Sequence, residues 1–341
     1  QFAVAATQMA IKDAALDLSQ EDSTRVGLEI GSAVGAIDLI EDQSRVFQEQ
    51  GPRRLNPTLI PSIIVNAASC QVAIAFGIKG PTNSPAAACA TGVYALGQAL
   101  RNLQRGDADV IIAGGTESAM SPLPIASFAR LGALSRRNDA PERACRPFDA
   151  QRDGTVIAEG AAIVVMETLE HALRRGARIL AEAIGYATTG DAHHLVAPDP
   201  EGAGAARAIQ LALDDAEMAP SEIGYIVAHG TGTPLNDITE TLAIKKVFGE
   251  RAYQIPISSN KSMLGHMLGA AGAISAIVAL LTMCDGLISP TINLETPDPQ
   301  CDLDYVPLHA RPAQVNAALV NAFGFGGQNA TLIVRRYEGP S

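Results

Sequence analysis

Apolar positions along the 341-residue chain change their period again and again. Runs rich in β-branched and small residues, RVGLEIGSA, ADVIIAGG, GAAIVVMETL, IGYIVAHG, QIPISSNKS and AALVNAFGFGGQNATLIVRR, read as strands. Between them apolar residues return every three or four positions. That spacing predicts helices over Gln1 to Leu18, from Thr91 to about Arg105, over EHALRRGA and GAARAIQLALDDA, and from Asp237 to Phe248. Strand and helix in alternation predict an α/β protein with largely parallel sheets. The pattern also runs twice. EGAAIVVME after Gly154 parallels GGQNATLIVRR after Gly324, and the helix after Cys89 parallels the one after His266. The expected organisation is a duplication, with halves at 1–178 and 179–341, whose sites form beyond the carboxyl ends of strands.

One stretch disturbs this picture. From Met267 to Cys284 the chain carries no charge, which over about 18 residues is the length of a membrane span. The run stands alone, is rich in Gly and Ala, and is diluted by Ser275 and Thr282, so the expectation is a helix inside a large core. Composition agrees: 47% hydrophobic and 18% charged residues suit a big soluble core, and no membrane association is expected. A net charge of -11, no Trp and 4% aromatics argue against nucleic-acid binding. Five cysteines without paired spacing suit a reducing compartment, read as cytoplasm. The start of the chain is already helical, so no signal peptide is expected there, and a fragment is.

The candidate chemistry begins at Cys89, in SPAAACATGVYALGQAL. A lone cysteine is ordinarily a small buried hydrophobe. This one follows a small-residue segment that reads as a short buried strand, and it precedes a helix at Thr91. Helix amides and dipole are expected to lower the thiol pKa there, and small neighbours leave room for a carbonyl. His229 ends a strand in IVAHGTGTPLND, flanked by Thr231, Thr233, Gly230 and Gly232. Lys261 and His266 stand five apart in SSNKSMLGHMLGAAG, and NAFGFGGQNA offers Gly324, Gly326 and Gly327, a backbone whose amides can face an anion. A lone histidine is more often structural. Two beside glycines at strand ends, with a helix-capped thiol, point to acyl transfer, and no pair has the short ligand spacing of a zinc motif.

AAACATG, VAHGTGTP, NKSMLGH and NAFGFGGQN, in this order, resemble the four signatures of the β-ketoacyl-[acyl-carrier-protein] synthases of the thiolase fold, in particular the synthase II branch. The resemblance implies a thiolase-like duplicated α/β fold with layered helices and mixed sheets of five-stranded type. It implies Cys89 as acyl nucleophile, His229 and His266 as the decarboxylation pair, and Lys261 as the ion ordering the site. Phe325 would be the gate, its amide joining that of Cys89 in an oxyanion hole. Thr231 and Thr233 would hold the phosphopantetheine arm, and Val34, Phe128, Phe323 and Gly324 would line the substrate, with Val34 at the far end of the acyl pocket. It also implies decarboxylative Claisen condensation with malonyl-[acyl-carrier-protein], acyl carrier protein as partner, a homodimer, and no bound cofactor or metal.

Two departures stand out. The family's first strand has no counterpart here, so an unpaired sheet edge is expected. Ser275 stands where the family usually has Glu as partner to Lys261, which leaves Asp237 and Glu240 as counter-ions. A thiolase or synthase III relative would carry Cys or Asn in place of His266, and a non-catalytic subunit of a condensing heterodimer would lack Cys89. ADVIIAGG is expected near the two-fold interface. Arg53, Arg54, Arg130, Arg136 and Arg137 are the candidates for docking an acidic carrier.

Overall fold

A computed structural model describes residues 1–339. The first half runs α1 (Phe2–Asp13), β1 (Val26–Gly31), α2 (Ile37–Gln50), α3 (Leu59–Ile63), α4 (Ala67–Phe76), β2 (Thr82–Asn83), α5 (Thr91–Gln104), β3 (Val110–Glu117), α6 (Pro122–Leu131), β4 (Gly160–Glu167) and α7 (Leu169–Arg174). The second runs β5 (Glu182–Gly190), α8 (Ala203–Asp215), β6 (Tyr225–Val227), α9 (Pro234–Phe248), β7 (Ile257–Ser258), α10 (Lys261–Leu264), α11 (Ala271–Asp285), β8 (Leu287–Ile288), β9 (Arg311–Pro312), β10 (Ala317–Gly324) and β11 (Gln328–Arg335).

The strands form sheets in the orders β2-β1-β3-β4 and β5-β11-β10-β6-β7, with β8 and β9 as a separate ribbon. The repeat seen in the sequence is visible here. β1 runs parallel to β3 and β3 antiparallel to β4; β6 runs parallel to β10 and β10 antiparallel to β11. The sheets are therefore mixed where the alternation predicted mostly parallel pairing. In the second half the cause is local: β10 and β11 are joined across Gly326 and Gly327 at φ +80° and +71°, a tight connection that only an antiparallel pair allows.

Burial follows the two periods. Leu28 and Ile30 of β1 and Ile112 of β3 pack with Ala3 and Val72 of α1 and α4. On the other face of this sheet lie Val93, Leu96, Leu100 and Leu103 of α5, which also meet Ala276 and Met283 of α11 and Val320 and Leu332 of the second sheet. α8 and α9 cover the far face of that sheet. The order is helix, sheet, helix, sheet, helix. The uncharged run is the central layer: by length and composition Leu268–Asp285 could cross a membrane, but 61% of it is buried inside the protein.

Three local expectations change. α1 stops at Asp13 because Ala15 takes a left-handed φ of +48°. The expected buried strand before Cys89 is only Thr82–Asn83, both exposed, with a loop from Ser84. α9 begins at Pro234, ahead of the expected Asp237, since proline suits a first helical turn. ADVIIAGG, as β3, lies between β1 and β4 with both edges paired, deep in the core as expected; β2 is the sheet's end strand on that side.

The expected open edge is present. β11 pairs with β5 on its outer side, whereas among the described residues the outer edge of β4 pairs with no strand. A groove of about 580 Å³ lies there, lined by Ala10, Leu100, Val165, Leu169, Leu180 and Ala276 among others.

Candidate active site

Cys89 lies one residue ahead of the α5 N-cap, Ala90. Ala88 before it is held at φ +47°, a conformation that costs a non-glycine residue about 1 kcal/mol or more. Thr91 holds this turn: its Oγ1 accepts from Ala87 N at 2.8 Å and donates to Ala88 O at 2.7 Å. The thiol is 7% exposed and packs with Ala119, Ile157 and Leu268. Gly324, at the end of β10, passes so close that a Cβ on it would lie 2.6 Å from Ala87 O and 3.2 Å from Cys89 N. The glycine-rich segment thus lies backbone to backbone against the nucleophile turn, as an amide pair requires.

α11 starts beside α5. A Cβ on Gly92 would meet Ala273 N at 2.4 Å, and one on Gly272 would meet Val93 N at 2.8 Å, so side-chain-free contact brings the two helix N-termini together. His266 precedes this junction. Its N–H donates to Val156 O at 2.7 Å and its carbonyl accepts from Ala158 N at 3.0 Å, while its ring Nδ1 is buried without a protein partner. The His229 ring stands edge-on to that of His266, with centroids 5.6 Å apart, and 5.7 Å from Phe323. Lys261 Nζ donates to His229 O at 2.6 Å.

The acids expected to neutralise Lys261 work differently. Glu240 accepts from His229 N and Gly230 N, both at 2.8 Å, and Asp237 accepts from Phe148 N at 2.8 Å and Thr231 N at 3.1 Å. The charged neighbour of Asp237 is Arg152, at 3.5 Å. Neither acid forms a direct ion pair with the lysine. They fix the backbone that carries His229 and Thr231. Ser275 Oγ lies 3.4 Å from Asn260 Oδ1, next to Lys261 in sequence.

Burial pushes the Cys89 thiol up to about 12, and the Lys261 charge pulls it down. Burial thus works against the lowering expected of the helix end. Burial first, and then the Lys261 charge, hold both imidazoles well below the ordinary histidine value, so both are neutral at pH 7. Burial also lowers Lys261, with Glu240 opposing, and raises Glu240 to about 7.

Cys89, Lys261, His229, His266, Phe323 and Gly324 thus converge. Phe325 is 36% exposed with its ring 6.2 Å from that of half-buried Phe128, at the mouth. Thr231 and Thr233 share a hydroxyl contact of 2.9 Å. Val34 lies on the loop after β1, also 36% exposed. Of the five arginines, Arg137 is engaged with Gln151 O and lies near Asp153, while Arg53, Arg54, Arg130 and Arg136 are exposed. Sequence reasoning missed Thr91, Arg152, Asn321, which reaches Glu240 Oε1 at 3.3 Å, and Glu117. Glu117 ending an apolar strand at GGTE was the one legible signal among them.

A thiol at a helix start, a neutral imidazole pair and a bare glycine backbone against the thiol define a condensing acyltransferase on a thiolase-like duplicated fold. Family models agree: residues 1–172 match the Beta-ketoacyl synthase, N-terminal domain, and residues 180–295 the Beta-ketoacyl synthase, C-terminal domain. The chain is 50% identical over 337 residues to a 3-oxoacyl-[acyl-carrier-protein] synthase 2 of Synechocystis, covering 99% of this chain and 81% of that one. It is 47% identical to the protein of the same name from Staphylococcus aureus, with the same coverage. A type II polyketide ketosynthase, solved with its acyl-carrier protein and bound to a hexaketide, superposes with a TM-score of 0.96 at 39% identity, over 99% of this chain and 84% of that one. The chain belongs to the β-ketoacyl synthase family, enzymes that lengthen acyl chains by Claisen condensation.

Proposed function

We propose that the chain extends fatty acyl groups by two carbons, taking both substrates from the phosphopantetheine arm of acyl carrier protein and binding no cofactor of its own. The higher identity to the synthase 2 proteins than to the polyketide enzyme supports the fatty acyl reading. In the first stage a neutral imidazole takes the Cys89 proton as sulfur attacks the acyl thioester. The oxyanion is held by the amides of Cys89 and Phe325, and the departing carrier thiolate recovers the proton. In the second, malonyl-carrier loses carbon dioxide, and His229 and His266 donate N–H bonds to the enolate oxygen. The carbanion attacks acyl-Cys89, the Cys89 sulfur leaves as thiolate, and it takes a proton from water to restore the thiol. Lys261 holds the His229 backbone and favours neutral rings.

The observation that carries this reading is the pair of buried, neutral imidazoles 5.6 Å apart. Neutral rings can both accept the thiol proton and donate to the enolate. The carrier docks at the exposed arginines, Arg53, Arg54, Arg130 and Arg136, and the enzyme works as a homodimer with β2 at the two-fold interface. Five free cysteines support a cytoplasmic site of action. The test is mass spectrometry of the protein after incubation with acyl carriers of graded length, paired with carbon dioxide release from malonyl-carrier. A mass shift on Cys89 together with gas release is expected. Acylation elsewhere, or neither signal, overturns the reading.

A further inference from the structure

Glu117 is 2% exposed at the end of β3 and has no basic partner among the described residues. Its carboxylate is surrounded by donors. Oε1 accepts from Ser32 Oγ at 2.8 Å and lies 3.5 Å from Val34 N, and Oε2 accepts from Ala33 N at 2.8 Å and Gly269 N at 3.0 Å. Ser32 Oγ in turn accepts from Gly35 N at 2.9 Å. One side chain thus ties three segments: the end of β3, the Ser32–Gly35 loop that carries Val34, and the turn after His266. The fit is tight. A Cβ on Gly269 would lie 2.6 Å from Ala33 N and 2.7 Å from Glu117 Oε2, and Leu268 is held at φ +44°. Leu268 itself packs on Cys89, with Ala33 and Phe128 against the same cluster.

We infer that Glu117 is a positioning residue that locks the floor of the acyl pocket and the His266 turn into one frame, so that chain-length selection and decarboxylation geometry depend on a single carboxylate. Three backbone amides and the Ser32 hydroxyl face the carboxylate, and in its ionised form it accepts all of these bonds. Burial without a cation is costly, and desolvation does push Glu117 upward, so the arrangement is not explained as a stabilising ion pair. The inference rests on the condensing function and adds to it a link between two sites that the reaction uses in separate stages.

The test uses Glu117→Gln and Ser32→Ala in the full chain. Gln keeps the volume but turns an N–H toward donors, which loosens both arms; Ser32→Ala loosens only the Val34 arm. Three quantities are read per folded molecule: the ratio of Cys89 acylation by tetradecanoyl- and hexanoyl-carrier, carbon dioxide release from malonyl-carrier, and amide hydrogen exchange. For Glu117→Gln, both the acylation ratio and gas release are expected to change by about tenfold, the scale of a sub-ångström misplacement. Exchange should rise at residues 32–35 and 267–270 together. For Ser32→Ala the ratio and the first segment's exchange should change, with gas release within about twofold of wild type. A lower melting temperature with ratio, gas release and exchange unaltered in Glu117→Gln overturns the inference. If that variant does not fold, an unaltered ratio and exchange in Ser32→Ala overturns it. Wild type that neither acylates nor releases gas would sink the functional reading instead, and the exchange pattern would still decide the role of Glu117.

Discussion

The two halves share one strand plan and spend it differently. In the first, the central helix α5 starts at a thiol; in the second, its counterpart α11 starts just after an imidazole, and the strand ends of that half add His229, Lys261 and the glycine-rich turn. The second sheet is closed on its outer side by β5, while the first leaves β4 open beside a groove. The two halves therefore contribute equivalent helix starts that meet at one site, one beginning at Cys89 and the other following His266. The close contact of Gly92 and Gly272 brings the thiol's helix and the imidazole's helix together across this division.

The sharpest way to break that division is to remove each side's reagent. Cys89→Ala should abolish acyl transfer and condensation outright, while carbon dioxide release from malonyl-carrier persists; mass spectrometry and gas release read the two. His229→Ala or His266→Ala should slow gas release about a hundredfold by removing an enolate donor. Self-acylation should fall less, because the thiol, at about 12 in the resting site, still has one neutral ring to take its proton. Equal losses of both signals in all three variants would show one catalytic unit, with no division between halves. Val34→Phe should shorten the preferred acyl chain by steric block while leaving gas release unchanged; an unchanged length profile removes Val34 from the pocket.

The smallest expected effect separates the halves by charge. Glu29 on β1 is buried, bonded to Asn102 Nδ2 at 2.8 Å and otherwise unpaired at Oε2, and burial pushes it up to about 7. A folded-state value above the unfolded one means that the folded protein holds the proton more tightly. Its contribution is complete below the ordinary carboxyl range and is lost as pH rises through about 7. Glu29→Gln should flatten the fall in melting temperature between pH 5.5 and pH 8, raising it by a few degrees, roughly, at the alkaline end. A melting curve with unaltered pH dependence would show that Glu29 is ionised throughout.

Much of this was legible in the sequence because it repeats locally. The buried stripe of α5 and the place of His229 after β6 follow from spacing and from residues that end apolar runs, whereas His266 follows the short helix α10 and not the expected strand. What could not be read is non-local. The antiparallel pairing of β3 with β4 depends on contacts between positions about fifty apart. Asp237 and Glu240 do act as counter-charges to the buried Lys261, but the sequence could not show that folding aims both carboxylates at backbone amides. Burial of the thiol, which a sequence does not display, works against the helix end at Cys89.

The glycine contact between α5 and α11 also sets an order of events during folding. Residues 92 and 272 lie far apart in the chain, so their contact requires most of it to have been made. Until then Cys89 is an ordinary thiol without its oxyanion amides or its proton acceptors. The organised reaction with acyl thioesters therefore waits on that contact, while an exposed Cys89 before it is open to ordinary thiol chemistry.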